Sequence, residues 1–174
     1  WHELSREAAR SIETVEQLTQ SPRTAPHPEV ADLARSIAGQ HQHPGAAAQA
    51  ICVAIGDAVE YMQGITGVHS TAAEAWAVRK GVCQDITHLA LGALRSVGIP
   101  ARYVSGYLHP SPDAEVGVPV AGESHAWVEW FAGDWQGFDP TNNTEIGDRH
   151  VLVGRGRDYS DVPPLRGVYA GTFK

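Results

Sequence analysis

Residues 83–108 read CQDITHLALGALRSVGIPARYVSGYL, and the spacing of the apolar residues changes once along this segment. Over residues 83–97 apolar positions recur every three or four residues, which is typical of an amphipathic helix. Gly98-Ile99-Pro100 follows, and a glycine before a proline commonly ends a helix. Over residues 101–108 the period falls toward two, and residues that favour strands predominate. The segment therefore predicts a helix that leads directly into a strand.

Upstream of this segment the apolar residues keep the helical period. We predict helices over residues 4–18, 30–37, 45–62 and 71–79. The last of these starts with Thr71-Ala72-Ala73-Glu74, a capping-box pattern in which both polar side chains bind free N–H groups at the helix start. Cys52 falls on the apolar face of the third helix, so we predict that it lies in the core.

Downstream of the segment the sequence alternates as strands do. Residues 109–123, with their prolines and acidic side chains, are predicted to form a surface loop. Strands are predicted over residues 124–131 and 135–138, joined by a tight turn around Gly133, and weaker strands over 150–153 and 167–170. Since helices come first and strands follow, the predicted fold class is α+β, with N-terminal helices packed on a C-terminal antiparallel β-sheet.

Length and charge restrict the kind of protein this is. The chain has 174 residues, which predicts one compact domain over residues 1–174. Its formal net charge of −7 disfavours nucleic acid or an anionic membrane as a partner. Its most apolar stretch, residues 45–59, is too short and too interrupted to cross a bilayer. The sequence opens at Trp1, so we expect a piece of a longer protein. Its only two cysteines are too few for a disulfide scaffold, and we expect a cytoplasmic location.

Cys83 is the first candidate for a chemical role. A cysteine acts as a nucleophile in its thiolate form, which a helix N-terminus and a nearby imidazolium both favour. His88 is the nearest histidine in the sequence, but five helical steps place it roughly 140° around the axis from Cys83. His125, within a predicted strand, is the better candidate for the base, and Asp139 at the end of the next strand is a candidate to orient its ring.

The hairpin that carries His125 and Asp139 sets a geometric condition. If Ala132-Gly133-Asp134 forms a three-residue loop, Phe131 faces Trp135 and Asp139 lies opposite Trp127. His125 is then the diagonal neighbour of Asp139 on the same face of the sheet. A two-residue loop would put the two side chains on opposite faces unless a bulge restored the phase.

Several ordered motifs resemble one known family. They are Gly81-Val82-Cys83-Gln84-Asp85, Gly98 to Tyr107, His125-Ala126-Trp127-Val128-Glu129 and Phe138-Asp139-Pro140-Thr141. Together they resemble the bacterial transglutaminase-like superfamily over residues 61–143, and more weakly to Pro164. The resemblance implies a papain-like cysteine protease fold and a Cys-His-Asp triad at Cys83, His125 and Asp139. It also implies an N-terminal β-rich region in longer relatives.

The resemblance further implies chemistry at amide bonds. Cys83 would attack the carbonyl carbon of a peptide or carboxamide and form an acyl-enzyme, which passes to water or to an amine. We expect a peptidase or amidase rather than a cross-linking acyltransferase, acting on a peptide or protein substrate. The alternative is a non-catalytic peptide-binding module of the same fold.

Other residues receive weaker assignments. The backbone N–H of Cys83 is expected to donate to the oxyanion, with Tyr61 and Trp76 as candidates for a second donor. Trp127 and Asp85 are candidates for substrate binding, although Asp85 is better explained as a helix cap or as a partner of His88. His41 and His43 are explained as a solvated loop, so we expect no metal and no cofactor.

Overall fold

The structure, a computed structural model, describes residues 1–111, 113, 115 and 117–163. Its helices are α1 (His2–Ala8), α2 (Ile12–Glu16), α3 (Pro28–Ala38), α4 (Pro44–Ala58), α5 (Ala72–Val78) and α6 (Cys83–Ser96). Its strands are β1 (Glu60–Tyr61), β2 (Lys80–Gly81), β3 (Ala101–Leu108), β4 (Glu123–Phe131), β5 (Trp135–Asp139), β6 (Thr144–Glu145) and β7 (His150–Gly156). The predicted α+β class, with helices preceding an antiparallel sheet, is confirmed.

The main sheet has five antiparallel strands in the order β6-β5-β4-β3-β7. Helix α6 lies between this sheet and helices α3, α4 and α5, and every residue from Gln84 to Arg95 is buried. Because residues 84–95 are buried, Cys83 and Ser96 at the two ends of α6 are its half-buried residues, and Cys83 is the one next to the sheet strand that carries His125. A two-residue parallel pair, β1 with β2, lies immediately before that turn.

Most of the predicted element boundaries hold, including both ends of α6. Gly98 follows α6 with φ +81°, a backbone conformation that glycine adopts without strain, and the chain then enters β3. The capping box at the start of α5 is formed, since the Thr71 hydroxyl accepts from the Glu74 N–H and Glu74 accepts from the Thr71 N–H. The predicted strand over residues 167–170 lies outside the described residues.

Two helix predictions were wrong in their extent. The helix expected over residues 4–18 is split, because Ser11 takes an extended conformation and caps α2 by accepting from the Glu13 N–H, while the Thr14 hydroxyl donates to the Ala8 carbonyl. The helix expected to reach Met62 ends at Ala58, and residues 60–61 pair with β2 instead. Local side-chain bonds and strand pairing therefore override the apolar period at these two places.

Arg95 fixes the end of α6 to the segments around it. Its buried guanidinium donates to the carbonyl groups of Gln17, Ala101 and Arg157, at 2.7 to 3.0 Å. These contacts tie the start of β3 and the chain after β7 to the central helix. Among the described residues, no helix combines the length and the apolar character that a membrane span requires.

Candidate active site

Cys83 is the first residue of α6 and is half-buried, whereas residues 84–95, which follow it in the helix, are buried. The turn before it is held by Asp85, whose Oδ2 accepts from the Val82 N–H at 2.9 Å and from the Thr66 hydroxyl at 2.5 Å. Burial raises the pKa of Asp85, although both of these hydrogen bonds act to lower it. Asp85 is itself almost wholly buried, so its contacts are those of a helix cap rather than of a residue at the cleft entrance.

His125 and Asp139 are brought together by the β4–β5 hairpin. Phe131 pairs with Trp135 across the loop of residues 132–134, and Val128 pairs with Phe138, so the predicted three-residue loop is confirmed. One step further along the ladder Asp139 lies opposite Trp127, diagonal to His125. The distance from His125 Nε2 to Asp139 Oδ2 is 2.7 Å.

Cys83 and His125 line the same cavity, of about 180 Å³. Its wall also includes the side chains of Gln84, Tyr103, Ser105, Ser124 and Tyr159. Burial alone would lower the pKa of His125, but hydrogen bonds to Asp139 and to Cys83 outweigh burial and raise it to about 9. At neutral pH the ring is therefore cationic, and its Nε2 donates to the Asp139 carboxylate.

The Asp139 carboxylate is wholly buried and accepts hydrogen bonds at both oxygens. Oδ1 accepts from the backbone N–H groups of Thr141 and Asn142 at 3.0 and 3.2 Å. Oδ2 accepts from His125, from the Asn142 side-chain amide at 2.7 Å and from His150 Nε2 at 3.2 Å. Burial by itself would raise the pKa of Asp139, but these donors, His125 foremost, lower it. Among the residues that the structure describes, these donors keep the carboxylate ionised without an arginine or a lysine.

Asn142 and His150 were not singled out by the sequence. Asn142 is three residues beyond Asp139 in the turn after β5, and a donor in that turn is a common partner for an aspartate. His150 is 11 residues from Asp139, at the start of β7, two strands from β4 in the sheet. No spacing in the sequence indicates that contact, since it depends on the strand order.

Two predicted site residues lie away from the Cys83 cavity. The indole N–H of Trp76 donates to Glu29 at 2.9 Å, and the ring is buried beneath Arg79, so this group is not available to an oxyanion at Cys83. Tyr61 lines a second cavity, of about 380 Å³, which it shares with Gln63, Glu123, His125 and Thr141. His125 lines both cavities.

Trp127 lies under the site rather than on its surface. Its side chain is 1% exposed, and its ring lies 6.4 Å from the His125 ring and 5.3 Å from the His150 ring, centroid to centroid. A residue so deeply buried supports the rings above it. It does not offer a surface to a substrate.

His88 is buried behind Cys83, and its ring stacks on Tyr103 with 5.2 Å between centroids. Its Nε2 accepts from the Tyr159 N–H at 3.1 Å and not from Asp85, so of the two structural explanations for Asp85 the helix cap is the one observed. Burial is the largest influence on His88 and lowers its pKa to about 3. The ring is therefore neutral, and none of the carboxylates in the described part of the chain lies in hydrogen-bonding contact with it.

One group of side chains has the composition of a metal site. The donor atoms of His125, Asp139 and His150 lie within 4.8 Å of one another. In this arrangement both imidazole Nε2 atoms point at the same carboxylate oxygen, at 2.7 and 3.2 Å, which are hydrogen-bond distances. The geometry is accounted for by hydrogen bonds between these groups.

Comparisons with known protein sequences point to one family. The model of the transglutaminase-like superfamily matches residues 31–140. An uncharacterized protein of Mycobacterium leprae is 49% identical over 142 residues, which are 82% of this chain and 50% of the relative. A protein-glutamine gamma-glutamyltransferase of Pseudomonas aeruginosa is 32% identical over 99 residues, which are 51% of this chain and 15% of that protein.

Among solved structures, the fold is similar to that of a "putative cysteine protease" from Cytophaga hutchinsonii. The TM-score is 0.74 at 27% sequence identity, and the match covers 88% of this chain and 50% of that chain. The chain thus spans half or less of the length of these relatives.

Proposed function

Since this chain belongs to the transglutaminase-like superfamily, we propose that it is a thiol enzyme that acts on peptide or carboxamide bonds through an acyl-enzyme on Cys83. One observation carries this proposal. A cysteine at a helix start shares a cavity with a histidine whose far ring nitrogen lies 2.7 Å from a buried carboxylate. That arrangement is the one that general-base activation of a nucleophile requires.

Two features beside Cys83 support its assignment as the nucleophile. The His125 ring and the N-terminus of α6 both lie next to it, and an imidazolium and a helix N-terminus are the surroundings in which cysteine nucleophiles are generally found. Asp139 occupies Nε2, so Nδ1 is the ring nitrogen left for the sulfur and the substrate. Cys52, by contrast, is wholly buried within α4, where burial raises the pKa of its thiol, and has no part in this chemistry.

The first half of the reaction forms the acyl-enzyme. The Cys83 thiolate attacks the carbonyl carbon, and the negative charge moves to the carbonyl oxygen. As the first residue of α6, Cys83 has a backbone N–H without a partner inside the helix, and this group donates to that oxygen. The carbon–nitrogen bond then breaks as His125 gives its Nδ1 proton to the departing amine, leaving a thioester.

The second half returns the enzyme to its starting state. Neutral His125 takes a proton from water or from a primary amine, which attacks the thioester carbon. The carbon–sulfur bond breaks, and Cys83 leaves as a thiolate beside the newly formed imidazolium. The acid product is released after attack by water, and a new amide is released after attack by an amine.

We assign the second cavity, the one lined by Tyr61, to the amine side of this reaction. It contacts His125 but not Cys83, and the group that exchanges a proton with His125 is the leaving or incoming amine. We propose that water is the usual acceptor, so that the enzyme is a peptidase or amidase. Transfer to an amine is the competing outcome of the same intermediate.

Mass spectrometry with a glutamine-containing peptide tests this proposal. We expect conversion of the side-chain amide to the acid, or cleavage of the peptide, in wild type and in the Cys52→Ala variant, and neither product in the Cys83→Ala variant. If an added primary amine is incorporated in preference to water, the enzyme is an acyltransferase.

Labelling with iodoacetamide near neutral pH separates the enzyme from a peptide-binding module of the same fold. We expect Cys83 to react faster than a model thiol and to slow when His125 is replaced by alanine. A Cys83 that reacts no faster than the model thiol, with no effect of His125→Ala, would leave a non-catalytic binding module as the better assignment.

A further inference from the structure

We propose that His150 is a positioning residue, which holds the Asp139 carboxylate in the orientation that His125 needs. The inference rests on the proposed function and adds a fourth side chain to the row formed by Cys83, His125 and Asp139. His150 contacts the same carboxylate oxygen as His125 and does not line the cavity that holds Cys83, so its effect on the reaction passes through Asp139.

The hydrogen bonds of His150 define its tautomer. Its Nδ1 accepts from the Gly147 N–H at 3.3 Å, so the ring proton is on Nε2. Nε2 is 3.2 Å from Asp139 Oδ2, to which it donates, and its side chain is only 4% exposed. An imidazole in this position adds a side-chain donor to the oxygen that meets His125.

The backbone of β7 is shaped so that His150 can make this contact. In a regular strand His150 and Arg155, five residues apart, would point to opposite faces. The β3–β7 ladder is shifted between Ser105 and Gly106, where Val153 is the extra residue. This bulge puts both side chains on the face of the sheet that also carries Glu129 and Asp139. Arg155 reaches Glu129, and His150 reaches Asp139.

Trp127 and Gly106 complete the support. The Trp127 ring packs edge-on against His150 at 5.3 Å and beside His125 at 6.4 Å, so it fixes the separation of the two imidazoles. A Cβ at Gly106 would lie 2.6 Å from that ring and 2.2 Å from the Val151 carbonyl oxygen. Only glycine leaves room for the indole at this point of β3.

The positions of the donors explain why a fourth residue is useful. Oδ1 is held by two backbone groups, but Oδ2, the oxygen that meets His125, is held by side chains alone. Without His150, Asn142 would be the one remaining donor besides His125 on that oxygen among the described residues. The carboxylate could then turn or take up water, and the His125 ring would lose its alignment with Cys83.

The test compares His150→Phe, which keeps an aromatic ring but donates nothing, with His150→Gln, whose amide nitrogen can replace Nε2. Val151→Ala is the matched control, since Val151 is on the same strand, is exposed and pairs on the opposite face. With the glutamine peptide as substrate, we expect His150→Phe to lower kcat roughly tenfold, with KM changed by less than about twofold. His150→Gln should recover most of that loss.

A second readout does not need turnover. In protein labelled with ¹³C at aspartate carboxyls, with Asp139→Asn to assign the resonance, His150→Phe should move the Asp139 titration upward by about one pH unit, because the anion has lost a donor. His150→Gln should restore it.

The two readouts separate the possible failures. Wild type that leaves the peptide unchanged would contradict the proposed function, while the titration would still decide whether His150 supports the carboxylate. A His150→Phe variant with wild-type kcat, or with an unmoved Asp139 titration, would overturn the role of His150 and leave the proposed function intact.

Discussion

His88 and His125 are both buried near Cys83, but the regions that hold them differ in one respect that decides their charge. His125 lies at the end of the sheet and donates to a carboxylate, whereas His88 lies inside the helix–sheet interface and contacts a tyrosine ring and a backbone N–H. The pKa of His125 is raised to about 9 and that of His88 is lowered to about 3. Burial acts in the same direction on both rings, so the hydrogen-bonded acid makes the difference.

The same contrast separates two buried carboxylates on one face of the sheet. Glu129 lies between Arg102 and Arg155, at 2.7 Å from each, and these charges cannot be removed near neutral pH. Asp139 is held instead by imidazoles, an amide and backbone groups. A permanent ion pair fixes the sheet, while a carboxylate with titratable partners can support a proton transfer.

The largest expected effect comes from replacing each of the two histidines in turn by glutamine. His125→Gln should lower turnover of the glutamine peptide by about 10³-fold, since it removes the general base and acid. His88→Gln, the matched variant on the other side of Cys83, should stay within about threefold of wild type because glutamine can still accept from the Tyr159 N–H. Equal losses in the two variants would show that the contrast has no bearing on catalysis.

Asp139→Asn should make the surroundings of His125 more like those of His88. Without the acid the ring loses a hydrogen bond and a negative charge that raise its pKa, so this pKa should fall from about 9, and turnover should drop by about 10²-fold. Histidine NMR titration measures the first effect and steady-state kinetics the second. An unchanged His125 titration in this variant would contradict the account given for the value near 9.

The dependence of stability on pH should have opposite signs at the two histidines. The stabilisation from protonated His125 is fully present below about pH 6.5 and is lost as the pH rises through about 9. For His88 the unfolded chain takes up a proton below about pH 6.5 that the native state refuses until about pH 3, so stability falls as the solution becomes more acidic.

Each effect amounts to about 1.4 kcal/mol per pH unit within its window. Urea unfolding of wild type, His125→Gln and His88→Gln between pH 4 and 10 measures both slopes. His125→Gln should reduce the dependence of unfolding free energy on pH above about pH 6.5, and His88→Gln should reduce that dependence below about pH 6.5. A variant that reduced it on the wrong side would refute the assignment of charge to that ring.

The smallest expected effect concerns the two thiols, which repeat the contrast between an accessible and a buried site. Cys52→Ala should cost about 1 kcal/mol of unfolding free energy and leave turnover within about twofold of wild type. Native labelling should modify Cys83 alone, because Cys52 is wholly buried and burial raises the pKa of its thiol. Modification of Cys52 at a comparable rate would show that α4 opens under native conditions.

Much of the fold and part of the site could be predicted from residue order. The change of period at Gly98 to Ala101 indicates the transition from helix to strand, and the three-residue loop after Phe131 sets the diagonal placement of His125 and Asp139. Local pattern failed where side chains competed with it. Ser11 and Thr14 ended a helix that the apolar spacing would have continued.

The sequence by itself determined the fold class, the helix start at Cys83 and the residues proposed for the reaction, because periodicity, caps and short hairpins depend on near neighbours along the chain. Only the tertiary structure decided that His150 joins Asp139, that Trp76 is bound to Glu29, and that one buried histidine is cationic while the other is neutral. Those outcomes depend on the order of strands in the sheet, on a bulge in β7 and on the groups around each ring. The protonation state of a buried side chain follows from its contacts, and here those contacts come from segments that are distant in sequence.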